Sequence, residues 1–128
     1  MHSATVFAVV VTYNPDKGLQ KRLQILRAQV QALLVVDNGS DDAEFIENIA
    51  RQLDCQVILN AKNLGIAEAL NQGARIAVQQ GAAWLATFDQ DSQTPSDGIA
   101  TLLAAASCLH HADRVAIVAM SHRDSATG

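Results

Sequence analysis

The feature that most constrains the fold of this chain is a set of short, uninterrupted apolar runs rich in β-branched residues. A strand with one face in water alternates apolar and polar residues, whereas a strand covered on both faces reads as continuous apolar sequence. The runs predict five buried strands, at Thr5 to Val11, Ala32 to Val36, Gln56 to Leu59, Ala83 to Phe88 and Val115 to Met120.

Apolar residues with helical spacing separate these runs. The first predicted helix has its apolar stripe at Leu19, Leu23, Leu26 and Val30. Three further helices are predicted in the same way. Their apolar faces are Phe45, Ile46, Ile49, Ala50 and Leu53 in the second helix, Ile66, Leu70, Gly73, Ala74 and Ala77 in the third, and Ile99, Leu102, Leu103 and Ala106 in the fourth.

The boundaries of these helices follow from capping chemistry. Ser40 is predicted to cap the second helix, and Gly81 to close the third. Thr94 is predicted to cap the fourth helix, with Pro95 at its first helical position.

Strands and helices thus alternate along the chain. This alternation is typical of an α/β domain in which a mainly parallel sheet lies between helices on both faces. The chain has 128 residues, of which 49% are hydrophobic, so it has the length of one domain and enough apolar side chains for one core. We therefore expect residues 1–128 to form a single domain.

Composition and charge argue against several classes of protein. The net charge is −4 and no basic stripe occurs, so no nucleic-acid surface is expected. No window approaches the roughly 18 apolar residues of a membrane span, and the first apolar run is too short for a signal peptide. Cys55 and Cys108 lie in apolar segments without metal-binding spacing, which favours buried free thiols in a reducing cytoplasm.

Polar segments follow the first four predicted strands. In an open parallel sheet, ligands bind beyond the carboxyl ends of the strands, where these segments would meet. Each segment alone also has a simpler interpretation as a turn or a helix cap, because such loops are polar in most α/β proteins. The segments are Thr12 to Asn14, Asp37 to Ser40, Lys62 to Gly65 and Asp89 to Asp91.

Asp89 and Asp91 are separated by one residue directly after the fourth strand. Carboxylates at i and i+2 of an extended segment lie on the same side, so the pair can offer hard oxygen ligands to a divalent cation. The alternative is solvated loop charge that assists the Thr94 cap. The fingerprints of dinucleotide-binding, P-loop and α/β-hydrolase proteins are absent, and the first strand lacks the acidic end of a receiver domain.

Four segments occur in order between Val9 and Ser92: VVVTYNP, VVDNGS, NLGIAEALNQG and FDQDS. Together they resemble the nucleotide-sugar-binding half of an inverting family 2 glycosyltransferase with the GT-A fold. The FDQDS form is similar to the bacterial rhamnosyltransferase branch. The resemblance implies a Rossmann-like half of a GT-A fold that binds a nucleoside diphosphate sugar.

The resemblance also implies roles for residues at the first two strand ends. Thr12, Tyr13 and Asn14 would line the pocket of the nucleotide base and ribose. Asp37 would accept a hydrogen bond from the pyrimidine N3–H.

The other two strand ends would hold the rest of the donor. Asn63 and Gly65 would flank the nucleotide. Asp89 would meet the ribose or donor sugar and contribute to the metal site, and Asp91 would bind Mg²⁺ or Mn²⁺. Leu70 departs from the pattern, because many members carry an Arg there. Charge neutralisation of the diphosphate would then rest mainly on the metal.

An inverting transfer also needs a general base, and no recognisable candidate follows Asp91. We therefore expect residues 1–128 to be the donor-binding part of a longer enzyme, inactive alone, with the acceptor-binding half elsewhere. Two alternatives stay open: a non-catalytic nucleotide-sugar-binding module, and an unrelated α/β nucleotide-binding domain.

The resemblance favours dTDP-L-rhamnose as donor, although another nucleoside diphosphate sugar stays open. It implies a lipid-linked acceptor in the assembly of a bacterial surface polysaccharide such as O-antigen. The expected location is the cytoplasm, with peripheral association at the inner face of the cell membrane.

Overall fold

In the part of the chain that the structure describes, five strands and four helices alternate, as the sequence predicts. A computed structural model describes residues 5–106 and 116–119. The elements are β1 (Val6–Thr12), α1 (Leu19–Arg27), β2 (Ala32–Asp37), α2 (Ala43–Leu53), β3 (Gln56–Leu59), α3 (Ile66–Gln79), β4 (Trp84–Asp89), α4 (Gly98–Ala106) and β5 (Ala116–Ala119).

The strands form one parallel sheet in the order β3-β2-β1-β4-β5. The chain moves outward from β1 to β3 and then crosses back to place β4 on the other side of β1. A topological switch point therefore lies between β1 and β4, the position at which open α/β sheets bind ligands. The predicted α/β class is confirmed.

The core lies on both faces of β1, all seven residues of which are buried. Val6, Ala8 and Val10 join a cluster with residues of α1, α2 and α4. Phe7 and Val9 join a second cluster, on the α3 side. This two-sided burial explains why the strand lacks polar alternation.

Strand boundaries differ from the prediction by one residue at the polar ends. β1 extends to Thr12 and β2 to Asp37, because these two residues are paired in the parallel ladder. β4 likewise ends at Asp89, which is paired with Val11. β3 lies at an edge of the sheet and has two exposed and two half-buried residues, so it is less covered than predicted.

Two predicted helix caps are wrong. Asp42, rather than Ser40, caps α2, and its Oδ1 accepts a hydrogen bond from the Phe45 N–H at 3.1 Å. α4 begins at Gly98, not at Pro95. Its Ile99 N–H donates to Gln29 Oε1 at 2.9 Å, so a side chain from beyond the end of α1 satisfies a donor in the first turn of α4.

The apolar face of α3 also differs from the prediction. Ile66 is exposed, whereas Gly73 and Ala77 are buried as predicted, together with Ala69. Small residues line this face because α3 packs closely on β1. α3 ends at Gln79, and Gly81 follows with a φ of 85°, consistent with its predicted place after the helix.

Cys55 is free and half-buried, and burial raises the pKa of its thiol to about 11. Cys108 lies outside the described residues. Within residues 5–106 and 116–119, no helix combines the length and the apolar character needed to cross a membrane.

Gly73 provides a test of the packing of α3 on β1. A Cβ at Gly73 would lie 2.6 Å from Cγ1 and 2.9 Å from Cγ2 of the fully buried Val9. We expect Gly73→Ala to lower the free energy of unfolding by about 1–2 kcal/mol in urea denaturation, because overpacking outweighs the gain in helix propensity.

The double variant Val9→Ala/Gly73→Ala is the control, since it removes the methyl groups that clash. It should be less destabilised than the sum of the two single variants. An increase in stability for Gly73→Ala alone would show that helix propensity dominates and that the close contact is unimportant.

Candidate functional site

Three neighbouring strands end at the same edge of the sheet. Thr12 of β1 is paired with Asp37 of β2, and Val11 is paired with Asp89 of β4. The loops after these strands therefore start side by side. The structure brings the predicted site segments of the first, second and fourth strands together at the switch point.

Asp37 is the buried centre of the first part of this site. It is only 1% exposed, and Thr12 beside it is fully buried. Its Oδ1 accepts hydrogen bonds from Thr12 Oγ1 at 2.7 Å and from Ser40 Oγ at 2.5 Å. Its Oδ2 accepts one from the Ser40 N–H at 2.8 Å. The carboxylate thus fixes the loop after β2 onto the end of β1.

Asn14 continues this connection. Its N–H donates to Ser40 Oγ at 2.8 Å, and its Oδ1 accepts from the Asp41 N–H at 2.8 Å. Asn14 has a φ of 44°, a conformation that asparagine tolerates better than most residues. The Tyr13 side chain is 47% exposed at the same edge, so its ring is available to a planar ligand.

Asn38 joins β2 to the loop before α3. It is 3% exposed, and its Oδ1 accepts from Asn60 Nδ2 at 3.1 Å and from the Leu64 N–H at 3.3 Å. Its Nδ2 donates to the Gly65 carbonyl at 3.1 Å. Buried polar atoms need such partners, so Asn38 holds the two loops at a fixed separation.

The loop before α3 contains two predicted site residues. Asn63 is exposed, and its Oδ1 accepts from the Gly65 N–H at 2.8 Å. Gly65 has a φ of 89° and begins the turn into α3. Nearby, Gly39 has a φ of 86°, and a Cβ there would lie 2.9 Å from the Lys62 Cα. The loops after β2 and β3 are therefore in close contact.

Asp89 is the last residue of β4 and Asp91 lies in the turn that follows, and both are exposed. The Ser92 N–H donates to the Asp89 carbonyl at 3.0 Å, which closes this turn. Arg22 of α1 approaches from the side, with its Nη2 3.9 Å from Asp91 Oδ1 and 3.0 Å from Asp16 Oδ1. Hydrogen bonds from Arg22 and from the Gly18 N–H hold the pKa of the Asp16 carboxyl below its ordinary value.

The carboxylate oxygen atoms at this turn are suited to a divalent cation that a bound ligand also coordinates. Asp89 and Asp91 supply hard oxygen atoms. Among residues 5–106 and 116–119, no group of three or more His, Cys, Asp or Glu side chains is placed to hold a metal ion. Ser92 Oγ is buried without a hydrogen-bond partner among the described residues. Two carboxylates leave most coordination positions to water and phosphate oxygens.

Three residues that organise the site carry no functional signal in the sequence. The sequence indicates Asn38 only as part of a turn, and Gln90 only as the residue between two aspartates. Arg22 had no local signal, because its partners are distant in sequence: its Nε donates to the Gln90 carbonyl at 2.9 Å. In the sequence, Arg22 is only a charged residue at a polar position of α1. Its role in the site becomes apparent once the strand order places β4, which Gln90 follows, beside β1.

The fold and the site together define an α/β domain with a candidate ligand site at the switch point of a parallel sheet. Comparisons with known proteins supply its family. A model of the family described as Glycosyl transferase family 2 matches residues 7–124. The chain therefore belongs to glycosyl transferase family 2.

Two proteins of known name are similar to most of this chain. The dTDP-rhamnosyl transferase RfbF of Shigella flexneri is 34% identical over 101 residues, which are 78% of this chain and 34% of RfbF. Galactofuranosyltransferase GlfT1 of Mycobacterium tuberculosis is 39% identical over 108 residues, which are 80% of this chain and 36% of GlfT1. The chain thus spans about a third of the length of these relatives.

The fold also has a solved counterpart. The crystal structure of S. aureus TarS 1-349 superposes with a TM-score of 0.58 and 23% sequence identity, over 80% of this chain and 31% of that one. At this identity the likeness concerns the fold alone, and it agrees with the predicted GT-A architecture.

Thr12 tests the role of the Asp37 hydrogen bonds. Thr12→Val keeps the shape of the side chain but removes the hydroxyl that donates to the buried Asp37 carboxylate. We expect the free energy of unfolding to fall by about 1.5–3 kcal/mol, the usual range for a hydrogen bond to a charged group.

Thr12→Ser is the matched variant, because it keeps the hydroxyl and loses only a methyl group. It should retain more stability than Thr12→Val when both are compared by urea denaturation. Equal stability of Thr12→Val and the unsubstituted protein would mean that this bond contributes nothing to the loop.

Proposed function

We propose that the protein is an inverting glycosyltransferase, or the donor-binding part of one, that transfers a sugar from a nucleoside diphosphate. The observation that carries this proposal is the in-register ending of β1, β2 and β4, which brings Tyr13, Asp37 and the Asp89–Asp91 pair to one edge. Membership of glycosyl transferase family 2 supplies the reaction class.

The base and ribose would lie near the ends of β1 and β2. Tyr13 offers an exposed ring for stacking, and Asn14 lies beside it. Asp37 Oδ2 accepts one hydrogen bond, from the Ser40 N–H, but the side chain is almost fully buried. We therefore expect Asp37 to act on base binding largely through the position of its loop, in addition to any contact at Oδ2.

The diphosphate would lie at the turn after β4, where Asp89 and Asp91 would hold Mg²⁺ or Mn²⁺. A bound cation would stabilise the negative charge that develops on the departing diphosphate. In the reaction, an acceptor hydroxyl attacks the anomeric carbon as the bond to the diphosphate breaks. The hydroxyl proton passes to a base that we expect outside residues 5–106, because this region has no recognisable candidate beyond Asp91.

The first candidate donor is dTDP-L-rhamnose, by analogy with RfbF, which is named a dTDP-rhamnosyl transferase. A donor of galactofuranose is the second candidate, because GlfT1 has the higher identity. For the acceptor we propose a lipid-linked bacterial surface polysaccharide, assembled at the cytoplasmic face of the membrane. Asn63 and Gly65 would border the nucleotide.

Asp91 provides the test of the metal and donor site. The unsubstituted protein should bind one of the thymidine, uridine or guanosine diphosphate sugars more tightly with Mn²⁺ than without it, as measured by calorimetry. Asp91→Asn should lose most of this metal-dependent increase, because a neutral amide is a poorer ligand for a hard cation. Metal-free binding of the nucleotide should change little.

Asp97→Asn is the matched control, since Asp97 is an exposed carboxylate in the turn before α4. It should retain the metal dependence. If the unsubstituted protein binds none of the nucleotide sugars, the donor site proposed here is wrong. Binding without turnover by the full natural protein would favour a non-catalytic module.

A further inference from the structure

Gln90, the residue between the two aspartates, turns its side chain back toward β1. Its Oε1 accepts a hydrogen bond from the Tyr13 N–H at 2.8 Å, and its Nε2 donates to the Tyr13 carbonyl at 3.2 Å. The amide thus pairs with both polar groups of one backbone residue, as a neighbouring strand would. It extends the connection between β4 and β1 beyond the end of the sheet.

Arg22 holds the same residue through its backbone. Its Nε donates to the Gln90 carbonyl at 2.9 Å, and its Nη2 donates to Asp16 Oδ1 at 3.0 Å. Only 16% of the Arg22 side chain is exposed. A planar guanidinium can make these contacts simultaneously, whereas a lysine ammonium cannot reproduce the fork.

These contacts form a connected set, which we call the Arg22–Gln90 clamp: the side chains of Arg22, Gln90 and Asp16 and the backbone of Tyr13. Asp16 is itself fixed, because its Oδ1 accepts from the Gly18 N–H at 2.9 Å. The clamp therefore connects the loop after β1, the beginning of α1 and the turn after β4. Both aspartates of the candidate metal site flank its central residue.

The clamp also places a positive charge beside the candidate metal site. Arg22 Nη2 lies 3.9 Å from Asp91 Oδ1. At this distance the guanidinium can offset part of the repulsion between the two neighbouring carboxylates while no cation is bound. Leu70 of α3 supplies no charge of this kind.

We propose that Arg22 and Gln90 are positioning residues that hold the Asp89–Asp91 turn in its metal-binding geometry before cation and diphosphate arrive. The proposal rests on the proposed function, because it concerns the same site. Arg22 acts through Gln90 and Asp91 and does not itself bind the donor. A turn ordered in advance loses less conformational freedom on binding, and this raises the affinity.

Three variants disturb the clamp in different ways. Arg22→Met removes the guanidinium, and Gln90→Leu removes both bonds to Tyr13. Gly18→Ala leaves every clamp group present, but its Cβ would lie 2.7 Å from Arg22 Nη1 and 3.3 Å from Asp16 Oδ1, so the guanidinium must shift.

Arg27→Met is the matched control. Arg27 is also in α1 and also donates to backbone carbonyls, those of Val30 and Leu53, away from the turn after β4. It removes the same charge and the same kind of contact without touching the clamp. The change in stability of Arg27→Met shows how much of the effect of Arg22→Met comes only from the loss of an α1 arginine and its backbone hydrogen bonds.

The first measurement is hydrogen–deuterium exchange of the metal-free protein. The Ser92 N–H closes the turn by donating to the Asp89 carbonyl. We expect its exchange to accelerate in Arg22→Met and Gln90→Leu but not in Arg27→Met. Unchanged exchange of the turn in both clamp variants would overturn the proposal.

The second measurement is the affinity for Mn²⁺, followed by electron paramagnetic resonance with the tightest-binding of thymidine, uridine and guanosine diphosphate present. We expect Arg22→Met and Gln90→Leu to weaken Mn²⁺ binding about tenfold, the effect of losing one charge-assisted hydrogen bond at Arg22 or two neutral ones at Gln90. Nucleotide affinity without metal should stay unchanged. Gly18→Ala should weaken Mn²⁺ binding in the unsubstituted background but add nothing to Arg22→Met.

The outcomes separate this proposal from the proposed function. Full retention of Mn²⁺ affinity in the clamp variants overturns the positioning role alone. Equal losses of nucleotide binding with and without metal in Arg22→Met also overturn it, because they would make Arg22 a direct ligand of the diphosphate. If the unsubstituted protein shows no metal-dependent nucleotide binding, the proposed function fails, and the positioning role fails with it.

Discussion

The structure depends on the burial of β1 from both sides. This strand pairs with β2 on one side and with β4 on the other, while helices cover its two faces. Its backbone groups can be satisfied only by those two neighbours, because water is excluded. The registers of β2 and β4 are therefore fixed relative to one strand, and so are the positions at which all three end.

The fixed strand ends create a second requirement. Polar loops begin at a buried edge of the sheet, so their buried polar atoms need hydrogen-bond partners. Asp37 meets this requirement by accepting hydrogen bonds from Thr12 and Ser40. Asn38 meets it by accepting from the Leu64 N–H and donating to the Gly65 carbonyl. The turn after β4 is held by residues of the β1 loop and of α1. Loops that carry chemistry are thus supported by side chains that are themselves part of the packed structure.

The fold could be predicted because its signal is local: uninterrupted apolar runs mark covered strands, and the spacing of Leu19, Leu23 and Leu26 marks a helix face. Family membership followed from the order of four short motifs. The roles assigned to Asp37, Asn63 and Asp91 stay predictions. Features made by distant residues were inaccessible: Gln29 replaces a local cap at α4, and Arg22 finds Gln90 only because β4 lies beside β1. Ile66, the first residue of α3, is likewise exposed although it fits the apolar period of the helix.

The burial of Asn38 has a consequence for the chemical ageing of the protein. An asparagine followed by glycine is the sequence most prone to deamidation, in which the backbone nitrogen of the glycine attacks the side-chain amide carbon. Here the amide of Asn38 is held by Asn60, Leu64 and Gly65, and Gly39 is fixed in a left-handed conformation against Lys62. These contacts keep the amide from rotating into the reactive geometry. The packing that positions the loop after β2 thus also protects the side-chain amide of Asn38 from deamidation.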